Sequence, residues 1–328
     1  MTEPSAQIAD AARILRRGGL VAFPTETVYG LGADATSAPA VAKIFAAKGR
    51  PATNPLIVHV ADIETAKRYA ADWSDAAQTL AAVWWPGPLT LVVPKRPEIV
   101  DAATAGRPTV ALRVPDHPLA LELLRAFGGP VAAPSANKSS HVSPTTVDHV
   151  REELGDAVDL VLDGGPCRVG IESTVVDLTG ERPVILRPGG VPRRKVEAIV
   201  GPVEVFGGSV DPGHPSASPG QHARHYAPRT PAVRFETPQR GLIQIDAPDG
   251  SPNGLMCVSP LPGLKKWERI VAMPGVPEAY AQHFYAVLRE LDGMGLHTIH
   301  IEMPPDRPEW EAVRDRIVRA TQPLDTRR

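Results

Sequence analysis

Short apolar runs rich in β-branched residues alternate with stretches of helical spacing through the first two-thirds of the chain. Residues 20–25, 55–60, 89–95, 109–115, 130–135, 160–165, 173–179 and 183–189 read as strands. Helices are predicted over the amphipathic N-terminal stretch and over 38–48, where Lys48-Gly49-Arg50-Pro51 supplies a stop and a breaker. Further helices are predicted over 62–71, 74–84, 117–126 and 144–154. The last of these opens on Ser143-Pro144 as N-cap and first-turn proline and closes at Gly155. This alternation predicts an α/β fold, and the uneven strand spacing a twisted open mixed sheet rather than a regular doubly wound one.

Between 206 and 231 the periodicity collapses into a Gly-, Pro-, Ser- and His-rich run that reads as a linker or lid. Beyond it, strands over 241–246, 255–259 and 297–303 and helices over 277–292 and 308–320 predict a smaller αβ unit. The expected organisation is a catalytic domain over 1–205, the linker over 206–231 and a small domain over 232–328.

Composition narrows the field. A 328-residue chain that is 43% hydrophobic and 22% charged has the make-up of folded domains. No apolar run approaches the roughly 18 residues a membrane helix needs, and the N-terminus lacks a secretory signal. Two cysteines, Cys167 and Cys257, without CxxC spacing fit a reducing compartment, so a cytoplasmic location is expected. A net charge of −2 gives no general affinity for nucleic acid, so any anion site has to be local. Neither GxxxxGK[ST] nor a strand-borne GxGxxG is present, nor is HExxH.

Several constellations carry possible chemistry. Phe23-Pro24-Thr25-Glu26-Thr27-Val28-Tyr29-Gly30-Leu31-Gly32 follows a strand and presents hydroxyls among glycines, either a site loop or a turn. Lys48 and Arg50 flank Gly49, with Asn54 and then His59 close behind. They are either an anion seat or partners of a helix dipole, with His59 a ligand or a core imidazole. Thr109, Ala111 and Arg113 share one strand face, so Arg113 points into a cavity or to a sheet edge. Ser135 and Asn137 close a strand, while Ser143 opens a helix, as a cap or a phosphate seat. Ser173 and Arg187 end the series, Arg187 being a site group or a surface ion-pair partner. The linker histidines His214, His222 and His225 match no standard metal-ligand spacing. Together, four cations with hydroxyl neighbours and few carboxylates suit a polyphosphate, and the residues point to a nucleotide or phosphate enzyme.

PTETVYGLG, KGRPATNPLIVHV, PGPLTLVV, TVALRVP, APSAN, GIESTVVD and LRPGG, in this order, resemble the Sua5/YrdC/YciO family over residues 8–200. SPGQHARHYAP and the C-terminal unit resemble its longer, Sua5-type members, the L-threonylcarbamoyladenylate synthases. The resemblance implies a YrdC-like sheet with a basic concave face and a small Rossmann-like domain. It also implies synthesis of threonylcarbamoyl-AMP from L-threonine, bicarbonate and ATP, with release of pyrophosphate. The product would pass to a transferase complex that modifies A37 of tRNAs reading ANN codons. By the same resemblance, threonine meets Thr27, His59, Arg113 and Ser173. ATP meets Lys48, Arg50, Asn54, Thr109, Ser135, Asn137, Ser143, Arg187 and Tyr226. Lys48 and Arg50 stabilise the departing pyrophosphate, Mg²⁺ accompanies the nucleotide, and 211–228 serves as lid. An RNA-binding module using the same concavity is the alternative, which an aromatic content of 5% disfavours.

Overall fold

The computed structural model describes residues 4–208, 210, 216–220, 224–242, 252–258 and 267–325. The chain divides into two compact units, one of residues 1–139 and 143–223, the other of 140–142 and 224–328.

The first unit is built on a mixed ten-stranded sheet. Its strands are β1 (Val21–Phe23), β2 (Gly30–Asp34), β3 (Ile57–His59), β4 (Leu89–Pro94), β5 (Thr109–Arg113), β6 (Val131–Ala132), β7 (Leu160–Val161), β8 (Thr174–Asp177), β9 (Val184–Arg187) and β10 (Glu204–Val205). They lie in the order β10-β9-β8-β4-β5-β3-β6-β2-β1-β7. The pairs β3/β5, β4/β8, β1/β7 and β9/β10 are parallel, and the other neighbouring pairs are antiparallel. Every strand expected from the sequence in this unit forms, usually a few residues shorter, because proline and glycine end the ladders. β2 was not expected. Gly30 and Gly32 lie in a strand, not in a turn, since a Cβ at Gly32 would stand 2.8 Å from Phe23 and 2.9 Å from Val131. The polar residues Thr25, Glu26 and Thr27 therefore lie in the loop between two paired strands.

Helices α1 (Pro4–Arg16), α2 (Ala38–Lys48), α3 (Ile63–Tyr69), α4 (Asp75–Trp84), α5 (Asp101–Thr104), α6 (Pro118–Phe127), α7 (Val147–Leu154) and α8 (Arg193–Val200) complete the unit. Local chemistry sets the ends. The Ser37 side chain caps α2, and Gly49 at φ 60 ends it in the left-handed conformation that glycine adopts without strain. Asp62 and Ser74 cap α3 and α4 through their side chains. At α7 the expected Ser143 cap is replaced by Thr146, whose hydroxyl accepts from the His149 N–H; Ser143 is turned elsewhere. The largest core includes Val58, Leu91, Val93, Leu112, Val176 and Ile185 on one sheet face. A smaller apolar patch of Ile57, Val92, Ala111, Val175 and Leu186 lies apart from it. Consecutive strand residues point to opposite faces, so Val58 and Ile57, or Leu91 and Val92, divide between these clusters.

The second unit holds β11 (Ala232–Phe235), β12 (Asn253–Cys257), β13 (Arg269–Ala272), β14 (Thr298–Glu302) and β15 (Gln322–Pro323), with α9 (Pro277–Asp292) and α10 (Glu311–Ala320). Its sheet is parallel throughout, in the order β13-β12-β14-β11-β15. Phe235, Leu255 and Cys257 bury one cluster, while on α9 Tyr280 stacks on Phe284 and Tyr285 packs tilted against Phe284. Most of the strand expected over 241–246 lies outside the described residues.

Candidate active site

Glycine at the end of α2 decides where the first two cations go. Lys48 is the last residue of the helix and Arg50 follows its Gly49 cap, and because Gly49 reverses the chain both turn inward. Lys48 is 2% exposed and its Nζ donates to the Ser135 carbonyl at 2.6 Å and to the Asn137 carbonyl. Burial, and then the neighbouring Arg50 charge, hold its ammonium well below the usual lysine pKa. Arg50 donates to the Asn54 carbonyl at 3.0 Å, to Asn54 Oδ1 at 2.7 Å and to the Pro55 carbonyl at 2.8 Å. Lys48, Arg50, Asn54, Ser135 and Asn137 thus form one cluster, though they span 90 residues of sequence.

The sheet register assembles the second cluster. His59 of β3 lies opposite Arg113 of β5, and Val175 of β8 lies opposite both Thr90 of β4 and Arg187 of β9. Thr90 immediately precedes the Leu91–Leu112 pair, which brings it beside Arg113. Side chains opposite one another on neighbouring strands share a face. His59, Arg113, Thr90 and Arg187 therefore form one polar row across five strands.

Hydrogen bonds tie the loops to this row. Arg113 Nη2 donates to Glu26 Oε1 at 2.7 Å and to Thr27 Oγ1 at 2.9 Å, and its Nε donates to the Gly87 carbonyl at 3.2 Å. Arg187 Nε and Nη2 both donate to the Ser173 carbonyl, at 3.1 and 3.0 Å, with Nη2 also 3.2 Å from Ser173 Oγ. Ser173 Oγ and Thr90 Oγ1 share a hydrogen bond of 2.7 Å. Ser143 donates to Glu172 Oε1 at 2.6 Å. His59 stacks edge-on against Phe23, and its buried Nδ1 has no hydrogen-bond partner among the described residues. Burial and the Arg113 charge hold its pKa well below that of a free imidazole, so it is neutral at pH 7.

Of the residues singled out from sequence, Lys48, Arg50, Asn54, Ser135 and Asn137 come together. Thr27, His59, Arg113, Ser173 and Arg187 lie along the row, with Ser143 bonded to Glu172 beside Ser173. Thr109 is on the face expected, but at the opposite end of β5 from Arg113. Tyr226 lies in the second unit, its ring 5.8 Å from that of Tyr285 and under the guanidinium of Arg316. Of the linker histidines, His214 and His222 fall outside the described residues. Sequence reasoning passed over Glu26, Thr90 and Glu172, although each stands inside a motif it quoted. Their signal is a polar side chain buried at a strand end, visible only once strand order is known.

The linker adds a cover. The Ser216 N–H donates to the Thr53 carbonyl at 3.1 Å, Ala217 packs on the Ile57, Val92 and Ala111 patch, and Arg187 Nη1 reaches the Pro219 carbonyl at 3.4 Å. Residues 216–220 therefore lie along the apolar face next to the polar row.

Lys48, Arg50 and Arg187 all donate to backbone carbonyls, and with Arg113 they place four buried cations in the site. Such a site binds anions and shields them from water. The Cys167 thiol is no nucleophile, since burial pushes its pKa up to about 12. Among the described residues no group of three or more His, Cys, Asp or Glu could hold a metal ion. No helix there is long and apolar enough to cross a membrane.

An α/β enzyme with a covered, cationic, hydroxyl-lined anion site is the class that this fold and site define. Two family models match the chain, one described as "Telomere recombination" (Sua5/YciO/YrdC) over residues 13–189, the other as "Threonylcarbamoyl-AMP synthase, C-terminal domain" over 191–322. The threonylcarbamoyl-AMP synthase of Bacillus subtilis is 42% identical over 96% of this chain and 92% of its own length. That of Pyrococcus abyssi is 40% identical over 96% and 94%. The structure of P. abyssi Sua5 complexed with L-threonine matches with a TM-score of 0.89 and 38% identity, covering 98% of this chain and 97% of that one. Escherichia coli YciO, at a TM-score of 0.51 and 26% identity, covers 56% of this chain and 90% of its own. This chain belongs to the Sua5/YciO/YrdC family, in its longer form that carries the Sua5 C-terminal domain.

Proposed function

We propose that the protein makes L-threonylcarbamoyl-AMP from L-threonine, bicarbonate and ATP, supplying the threonylcarbamoyl group for tRNAs that read ANN codons. The observation that carries this reading is the placement of two anion seats. The Lys48/Arg50 cluster offers an ammonium and a guanidinium to phosphates. The His59–Arg113 end of the row offers a guanidinium and a neutral imidazole to an amino acid.

In this reading Arg113 takes the threonine carboxylate, with the Thr27 hydroxyl and His59 beside it. The threonine nitrogen bonds to the carbon of bicarbonate and gives up a proton as water leaves, forming an N-carboxylate. One carboxylate oxygen then bonds to the α-phosphorus of ATP while the bond to the β-phosphate oxygen breaks and pyrophosphate departs. No protein nucleophile takes part. Lys48 and Arg50 lower the charge on the α-phosphate and the leaving group, and the buried setting strengthens each contact. Mg²⁺ would arrive with the nucleotide's phosphates. Among the described residues no group of three or more His, Cys, Asp or Glu forms a cage for it. Residues 216–220 exclude water from a labile N-carboxylate and a hydrolysable acyl-adenylate.

An RNA backbone is a poor occupant of the same groups. Lys48, Arg50, Arg113 and Arg187 are all buried, whereas a polymer needs exposed cations along a surface. Incubation with ATP, labelled bicarbonate and each amino acid in turn tests the proposal. Label should appear in an acyl-adenylate with threonine and not with other amino acids. Formation of labelled adenylate with no amino acid preference, or none at all, overturns it.

A further inference from the structure

Glu26 has no part in the chemistry above, yet both of its carboxylate oxygens and its backbone carbonyl accept hydrogen bonds. Its side chain is fully buried, and Oε1 accepts from Arg113 Nη2 at 2.7 Å. Oε2 accepts from the Asp116 backbone N–H at 3.0 Å. Its carbonyl accepts from the Val169 N–H at 2.7 Å, and Arg168 beside it pairs with the Asp116 side chain. One residue thus joins the loop between β1 and β2, the loop after β5 and the loop before β8.

The consequence falls on Arg113. Its Nε is taken by the Gly87 carbonyl and its Nη2 by Glu26 and Thr27, so one edge of the guanidinium is fixed by protein. Among the described residues Nη1 has no hydrogen-bond partner, although the side chain is only 4% exposed. A buried cation held along one edge and open at the other is a preformed seat for a carboxylate, because a guanidinium offers donors in a planar fork. Without Glu26, the guanidinium is free to rotate towards backbone carbonyls, and a buried positive charge is left uncompensated.

The geometry points to Glu26 as a positioning residue that fixes the Arg113 guanidinium by one edge and so sets threonine affinity through the other. This inference rests on the reading of Arg113 as the partner of the threonine carboxylate. Glu26→Asp keeps the charge but shortens the reach by one methylene, and Glu26→Gln removes the charge. In both, threonine binding measured by calorimetry without ATP should weaken about tenfold or more, as loss of an aligned charged hydrogen bond does. ATP binding should stay within about twofold of the parent protein. Preference for threonine over 2-amino-1,3-butanediol, in which the carboxylate is a hydroxymethyl group, should drop to the value of Arg113→Ala.

Unchanged threonine affinity in folded variants overturns the inference, and so does an equal weakening towards threonine and ATP, which marks a general structural role. Should both variants fail to fold, Glu26→Leu/Arg113→Met decides. Recovery of the fold with ATP binding intact ties the need for Glu26 to the Arg113 charge; failure to recover overturns the inference. If the parent protein itself does not prefer threonine to the aminodiol, it is the assignment of Arg113 that falls, whatever Glu26 does.

Discussion

The Lys48 ammonium donates to the Ser135 carbonyl at 2.6 Å, joining the end of α2 to the loop after β6 across 87 residues of sequence. Because its partners are carbonyls and not carboxylates, the lysine keeps its ability to take a phosphate. Burial and Arg50 disfavour its charged form, and an arriving phosphate favours it.

ATP binding should therefore take up a proton wherever the pH lies above the lowered Lys48 value. Lys48 has its pKa lowered in the free protein and raised again by the bound anion, so affinity is full below the lowered value and falls as pH rises above it. Calorimetry in buffers of different ionisation enthalpy reads the uptake. Lys48→Arg should abolish it, because a guanidinium stays protonated throughout.

Arg50→Ala should cut ATP-dependent pyrophosphate release by about a hundredfold or more, as removal of a preorganised charged donor does. It also frees the Asn54 and Pro55 carbonyls, so stability should fall by about 1–3 kcal/mol. Arg50→Lys should restore part of the stability and little of the rate, since an ammonium cannot reproduce the forked contact. Single-turnover assays with thermal melts separate the two effects.

Gly189→Ala should be severely destabilising, by about 2 kcal/mol or more. A Cβ there would lie 2.4 Å from the backbone of Glu172, Ser173 and Thr174, which cannot move without displacing the Ser173 carbonyl from Arg187. Gly207→Ala, with nothing near its Cβ, is the control that should melt like the parent.

His300 gives the second unit an acid-sensitive component. Burial, and then the charge of His297, hold its pKa at about 4 in the fold against 6.5 unfolded. A lowered folded pKa means that stability is present above pH 6.5 and is lost as pH falls from there towards 4. The loss should be on the order of 1–3 kcal/mol. His300→Gln should flatten this slope in urea titrations at successive pH values.

Much of this architecture is legible in the sequence because it is set locally. The boundaries of α2 and α9 follow from Ser37, Gly49 and Pro277, and the strand runs at 57–59, 89–94 and 109–113 from β-branched residues between breakers. Alternation also placed Arg113 correctly on the Thr109–Ala111 face. β2 escaped because its glycines read as a turn, and they read so because the reason for them, Phe23 and Val131 on flanking strands, is remote in sequence. The Ser143 cap was misread because Thr146 competes for the same helix end, and the buried Glu172 carboxylate then claims Ser143.

Chain order alone determined which side chains could bind an anion, since hydroxyls, guanidinium groups and glycine-ended helices carry their chemistry wherever they lie. Only the tertiary structure decided that His59, Arg113, Thr90 and Arg187 stand in one row and that Glu26 holds one edge of Arg113. Pairing register joins residues far apart along the chain, and burial converts a surface ion pair worth little in water into a fixed, oriented contact.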